Sequence, residues 1–197
     1  MNVSAGLVEP AISAEFPGLR LDFTALDATV RASPREVERR LHALSDRYRG
    51  PGVVAMRTKP VPHAYRSFYR QVGLDPDASR IPSEEAAVRR LLQGGFRSRD
   101  TLEDARLIAL VETGVPVWAL DASVVAPESL GIRSAAGQLV VADSGGVHAT
   151  LFAEPGPGHV PGPRTRRMVL FAIGVEGVPA IHLEEALWVA VEVLDPG

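Results

Sequence analysis

The segment from Asp100 to Thr113 constrains the fold of this chain more than any other. Asp100-Thr101-Leu102-Glu103 resembles a capping box, with aspartate in place of serine or threonine, so a helix opens there. Leu107, Ile108, Ala109, Leu110 and Val111 then run apolar around several of its faces. A helix that is apolar on several faces is a buried one, so this helix is expected in the middle of the fold.

Other elements follow from period and punctuation. Leu19, Leu21 and Phe23 alternate with polar residues over 17–26, which reads as a strand. Ser33-Pro34-Arg35-Glu36 supplies an N-cap, a proline at N1 and a glutamate at N3, and Val37, Leu41, Leu44 and Tyr48 form the apolar face of the helix it opens. Gly50-Pro51-Gly52 stops that helix, and Val53 to Met56 is a candidate strand. Helices are expected over Pro62–Val72, closed by Gly73, over Ser83–Gln93, closed by Gly94 and Gly95, and over Leu183–Leu194, carrying Leu187, Trp188, Val191 and Leu194. After Gly114 come short strands at Val115–Leu120, Gln138–Ala142, Val147–Phe152 and Met168–Ile173, with Ser144-Gly145-Gly146 as a hairpin-like turn. Pro155 to Pro163 must be an exposed loop. Helices concentrated early and strands late give an α+β fold, not a doubly wound sheet. The length of 197 residues suits one domain with a sizeable core.

Composition excludes several chemistries. Cysteine is absent, so disulfides, thiolate catalysis and Cys-ligated zinc are ruled out, which fits a cytoplasmic protein. The five histidines show no metal-ligand spacing, and no metal or cofactor is expected. His148 reads as a solvent-facing strand residue beside Val147 and Leu151. No apolar run approaches the roughly 18 residues of a membrane span, and Met1 to Pro10 lacks the pattern of a secretory signal. Asp143-Ser144-Gly145-Gly146 lacks the Gly-x-Ser-x-Gly elbow, and a turn accounts for it. Glu84, Glu85, Glu184 and Glu185 fall near helix starts, where carboxylates favourably face the dipole. A net charge of −3 gives no global pull on nucleic acid. Arginine clusters are the one hint of an anionic partner: Arg89 and Arg90, then Arg164, Arg166 and Arg167 after the Pro/Gly loop, both as candidate RNA contacts. Solvated surface charge explains them too, with Glu85 placed to pair with Arg89.

Two segments resemble a known family. Tyr69-Arg70, Gly73-Leu74-Asp75-Pro76, Arg80 to Ser83, Glu85-Ala86 and Arg89-Arg90 form the first; Asp104, then Glu112-Thr113-Gly114-Val115-Pro116 and a closing Asp121, form the second. Arg133, Ala135 and Gly137-Gln138 follow in the same order. The pattern resembles the B3/B4 (tRNA-editing) domain of the phenylalanyl-tRNA synthetase beta subunit and the freestanding proteins built on it. The resemblance covers about two-thirds of the chain, best over 61–194, with 1–60 as an N-terminal strand–helix part. It implies a three-layer β/β/α sandwich, a pocket between the layers and hydrolysis of a wrong amino acid from tRNA without a metal.

Arg106, Glu112, Trp118, Asp121 and Arg133 are the substrate-pocket residues the matched positions imply, with Trp118 setting its size and Asp104 as a supporting acid or a helix-start charge. The family's usual editing residues are replaced: Arg106 and Leu107 stand at a Thr-Asn pair, Trp118 at a histidine, Gln138 at a glutamate, and Phe171 near a later glutamate. A site without those polar groups loses its discrimination for a tyrosine hydroxyl. The resemblance therefore implies a tRNA-associated protein acting in trans on a smaller amino acid, or a non-catalytic module for tRNA or an amino-acid-like ligand. A generic hydrolase on a reused fold is a third reading.

Overall fold

The structure is a computed structural model describing residues 1–47 and 58–195. In chain order it runs β1 (Ser4–Ala5), β2 (Leu7–Val8), α1 (Pro10–Glu15), β3 (Arg20–Asp27), α2 (Arg35–Arg47), α3 (Pro60–Gln71), α4 (Pro82–Gln93), α5 (Thr101–Thr113), β4 (Val117–Asp121), β5 (Gly131–Ala135), β6 (Gln138–Ala142), β7 (Val147–Thr150), β8 (Arg167–Gly174) and α6 (Ala180–Leu194). The architecture is mixed α+β. The expected strand over Val53–Met56, Tyr48 and the Gly50-Pro51-Gly52 stop lie outside the described residues.

One sheet has the order β1-β3-β8-β4 and is antiparallel at every pairing. Met168, Leu170, Phe171 and Ile173 of β8 are each at most 1% exposed. Side chains of that size contribute about 1.5–3 kcal/mol apiece when fully buried, so β8 is the strand on which its neighbours register. Phe171 sits opposite Phe23 on one side and Trp118 on the other, which places three aromatic rings on one face. The other face meets α6, where a Cβ on Gly174 would come within 2.9 Å of Leu183.

The second sheet has the order β2-β5-β6-β7, with β2 parallel to β5 and the other pairs antiparallel. β5 and β6 are joined by Ala136 and Gly137, both at positive φ, as a tight two-residue hairpin requires. β6 and β7 are joined by the expected turn, whose Asp143 accepts from the Gly145 and Gly146 amides. β1 and β2 are separated by Gly6 alone and belong to different sheets, so the N-terminus ties the two together.

The helix α5 is flanked by α2, α4 and α6 and leads through Gly114 into β4. Asp100 caps it, accepting from the Leu102 and Glu103 amides, and Gly114 closes it at φ 79°. Its central position is as expected, but Leu107, Leu110 and Val111 stay partly exposed because that side lines cavities instead of core. One expectation needs correction in α6. It begins at Ala180, so Glu184 and Glu185 lie beyond the first turn. Trp188 is 54% exposed, and the buried stripe runs through Leu183, Ala186, Leu187, Ala190 and Val193.

Candidate functional site

The turn from α5 into β4 forms one wall of a cleft of about 310 Å³. Glu103, Arg106, Leu107 and Leu110 line it from α5, at the i, i+3, i+4, i+7 spacing of a single helical stripe. Pro116, Val117 and Trp118 continue the wall into β4, and Glu85, Ala86 and Arg89 of α4 face them. Phe152 and Glu154, just past β7, complete the lining.

Arg106 organises the polar part. Its Nε donates to the Val117 carbonyl at 2.8 Å, one terminal nitrogen reaches Glu103 at 3.3 Å and the other reaches Glu154 at 2.5 Å. Helix, strand and the segment after β7 are thereby held by one guanidinium, whose planar fork suits three directed bonds. Arg89 pairs with Glu85 at 3.3 Å on the exposed side of α4.

The floor is aromatic. Trp118 is 3% exposed and stacks on Phe171 with ring centroids 5.7 Å apart and planes 18° apart. Phe152 reaches into the same cluster, with ring centroids within 6.0 Å of those of Tyr65, Phe68, Tyr69 and Trp118. It holds φ at 64°, a left-handed conformation a bulky L residue adopts only when its surroundings compensate. The expected β7 over Val147–Phe152 ends at Thr150 for this reason. Tyr65 donates to the Ile173 carbonyl at 2.7 Å, and burial raises its phenol far above the ordinary range. Burial likewise pushes Tyr69 up to about 12.

Of the five residues implied for the substrate pocket, Arg106 and Trp118 share this cleft. Glu112 instead accepts two bonds from Arg40, at 2.8 and 2.9 Å, and that interaction raises the Arg40 guanidinium. Asp121 accepts from Thr165 and from Ser123, which hold its carboxyl below the usual range. Arg133 donates to the Ser129 carbonyl at 3.2 Å.

Of the arginines expected to meet RNA, Arg89 flanks the cleft, whereas Arg90 is buried and donates to the Ser45 carbonyl at 3.0 Å. Arg164, Arg166 and Arg167 are exposed beyond the Asp121 end of β4, while the cleft opens at its Val117 end. Arg166 donates to nearby carbonyls, and Arg167 lies 3.8 Å from Asp27.

Two buried polar groups have roles the sequence did not disclose. Asp104 is 1% exposed and accepts from Ser33 Oγ at 2.6 Å, Ser98 Oγ at 2.5 Å and the Arg99 amide at 3.0 Å. Ser33 therefore ties α2 to α5 through Asp104. His148, expected to face solvent, is 3% exposed. Its Nδ1 lies 2.6 Å from His159 Nδ1, so one ring carries the proton and the other the lone pair. Its Nε2 lies 2.9 Å from Asp143 Oδ2, an ion-pair distance with poor hydrogen-bond direction. Burial alone would raise the Asp143 carboxyl, but bonds from the Ala126 and Gly145 amides and the contact with His148 hold it low.

No protein-family model matches the chain, and no curated protein matches it.

Proposed function

We propose that this chain is a single B3/B4-like domain, a three-layer β/β/α sandwich, that binds an amino-acid-like ligand in the Arg106–Trp118 cleft, the aminoacyl end of tRNA being the form it takes. The observation that carries this reading is the pairing of an aromatic floor with charges of both signs at the mouth. Phe152, Leu107 and Leu110 offer apolar surface for a side chain, and Trp118, 3% exposed, backs it. Glu85, Glu103 and Glu154 can accept from an ammonium, while Arg89 and Arg106 can donate to a carboxylate or ester carbonyl. Three carboxylates against two guanidinium groups leave a small negative surplus, which suits a protonated amine better than a run of phosphates. The match of residues 65–121 to the family pattern supports the same reading.

A non-catalytic role is favoured because the lining contains no serine, threonine, histidine or asparagine among the described residues. One observation favours hydrolysis as a second reading. Glu154, anchored by Arg106, is a largely exposed carboxylate that can orient a water beside a bound ester.

Titration calorimetry with a panel of amino-acid amides, and filter binding with aminoacyl-tRNAs, tests the proposal. Binding that falls at least tenfold in Arg106→Leu, with no deacylation above the buffer rate, is the expected result. Deacylation abolished by Glu154→Gln would establish the second reading instead. Absence of saturable binding to any member of either panel sinks both.

A further inference from the structure

The Arg106–Trp118 cleft continues into a second, shallow groove between α4 and α5. Ala86, Arg89, Glu103 and Leu107 line both, so the two share a wall on each helix. Beyond them the groove runs past Arg97 and Arg99, just before the Asp100 cap of α5. From Leu110 in the cleft to Asp100 is about 15 Å along the helix axis, several times the span of one amino acid.

The charge balance reverses along this path. Three carboxylates face two guanidinium groups in the cleft, whereas the groove sets Arg89, Arg90, Arg97 and Arg99 against Glu103 and Asp104. The Asp104 charge is compensated by its three donors, and Glu103 pairs with Arg106. Arg97 and Arg99 are exposed and make no ion pair among the described residues. The backbone that carries them is fixed. Phe96 is 6% exposed and its amide donates to Ser45 Oγ at 3.1 Å, while the Ser98 hydroxyl and the Arg99 amide both donate to Asp104. Two guanidinium groups on an anchored segment lose less freedom on binding than two on a loose one. The groove encloses only about 40 Å³, room for little more than one water, so a group bound there stays solvated on its outer side. A phosphate tolerates that and suits the arginine fork.

Given the amine site proposed above, on which this step rests, we infer that the α4–α5 groove takes a phosphate of the same ligand, an amino-acid ester of a nucleotide, with Arg89, Arg97 and Arg99 as its donors. The amine then meets the negative end of the path and the phosphate the positive end, so the charges alone set the direction in which the ligand lies.

The test is calorimetry on the full-length chain with three probes, each prepared with alanine, leucine and phenylalanine. They are the amino-acid amide of 3′-amino-3′-deoxyadenosine, its 5′-phosphate, and the same nucleoside at the 3′ end of a short single-stranded RNA. The readout is the ratio of affinities between a phosphorylated probe and the bare nucleoside. That ratio is expected to be about tenfold at low salt, to shrink as salt rises, and to fall close to unity in the Arg97→Gln, Arg99→Gln pair. Arg39→Gln with Arg70→Gln removes the same charge from exposed positions on α2 and α3 and is expected to leave the ratio unchanged. A full gain with the 5′-phosphate identifies a nucleotide ester as the ligand, and a gain that needs the longer probe identifies an RNA end. A ratio near unity in the wild type, or one undiminished in the double variant, overturns the groove while leaving the cleft as proposed. Binding of the phosphorylated probes through Arg97 and Arg99, with no response to the bare nucleoside, keeps the groove and removes the amine site instead. Absence of binding by every probe sinks both.

Discussion

Replacing Asp104 by alanine tests whether the wall of the cleft is held from beneath. The carboxylate is 1% exposed and receives three donors, from Ser33, Ser98 and Arg99. A hydrogen bond to a charged group contributes about 1.5–3 kcal/mol, and a donor left buried without a partner loses its hydration as well. The Ser98 hydroxyl can turn to water and the Arg99 amide belongs to an exposed residue, whereas Ser33 is half-buried between α2 and α5. Taking the lower value for the two exposed donors and a middle value for Ser33 gives a loss of about 5 kcal/mol, less what rehydration returns, hence about 3–5 kcal/mol. Asp104→Asn keeps the volume but replaces one acceptor oxygen by a donor, for a loss of about 2–3 kcal/mol. Urea unfolding at neutral pH measures both, with the slope of the transition as a check on the denatured state. Because Asp104 sits in the first turn of α5, faster hydrogen exchange in that turn should accompany the loss, ahead of exchange in β8. A loss below about 1 kcal/mol for Asp104→Ala would refute the view that this carboxylate anchors α5.

Three further outcomes follow. Gly131→Ala places a Cβ 2.0 Å from the Leu7 carbonyl oxygen at the β2–β5 pairing, so thermal unfolding should show a loss of about 3 kcal/mol or more, the upper range for overpacking. Arg89→Ala, which breaks an exposed pair with Glu85, should change urea stability by less than about 0.5 kcal/mol while weakening amide-ligand binding in calorimetry. The folded-state pKa values of Asp121 and Asp143 lie below their usual ones, so these groups contribute stability that is present above about pH 4 and is lost as pH falls through the depressed values. A thermal-unfolding series on acidification should therefore steepen in that window, and Asp121→Asn should flatten part of the slope.

Much of the fold was legible because its signals are local. The Asp100 cap and the Gly114 stop frame α5 by side-chain and backbone chemistry within a few residues. The alternation around Leu21 and Phe23 gave β3, and the Asp143 turn gave the β6–β7 hairpin. What escaped was set by distant partners. β1 and β2 have two residues each, and only their pairing with Asp22–Phe23 and Gly131–Ile132 makes them strands. The early start of α6 reflects Pro179 standing as N-cap, a role proline marks weakly. His148 lies eleven positions from His159, which sits within the Pro/Gly loop, so no short-range pattern could announce that the rings meet.

The cleft divides along the same line, and helix period explains which implied residues reached it. Glu103, Arg106, Leu107 and Leu110 are one stripe, and at about 100° per residue Glu112 lies about 120° around α5 from Arg106. No local change in α5 could bring both to one pocket, so Glu112 meets Arg40 of α2 instead. Trp118 and Asp121 are an odd number of positions apart on β4, so their side chains leave opposite faces of the sheet. Arg133 belongs to the other sheet altogether. The first two separations were present in the spacing of the sequence and outweigh the order of matched motifs as a guide to who shares a site, whereas the third is set by strand pairing. Phe152 and Glu154 are the reverse case. Their place in the cleft depends on the β6–β7 hairpin delivering them to Trp118 and Arg106, and on Phe152 accepting a left-handed backbone to point inward. The strain is sustained by ring contacts from α3, which makes α3 and the hairpin jointly responsible for the floor of a site whose wall α5 and β4 supply.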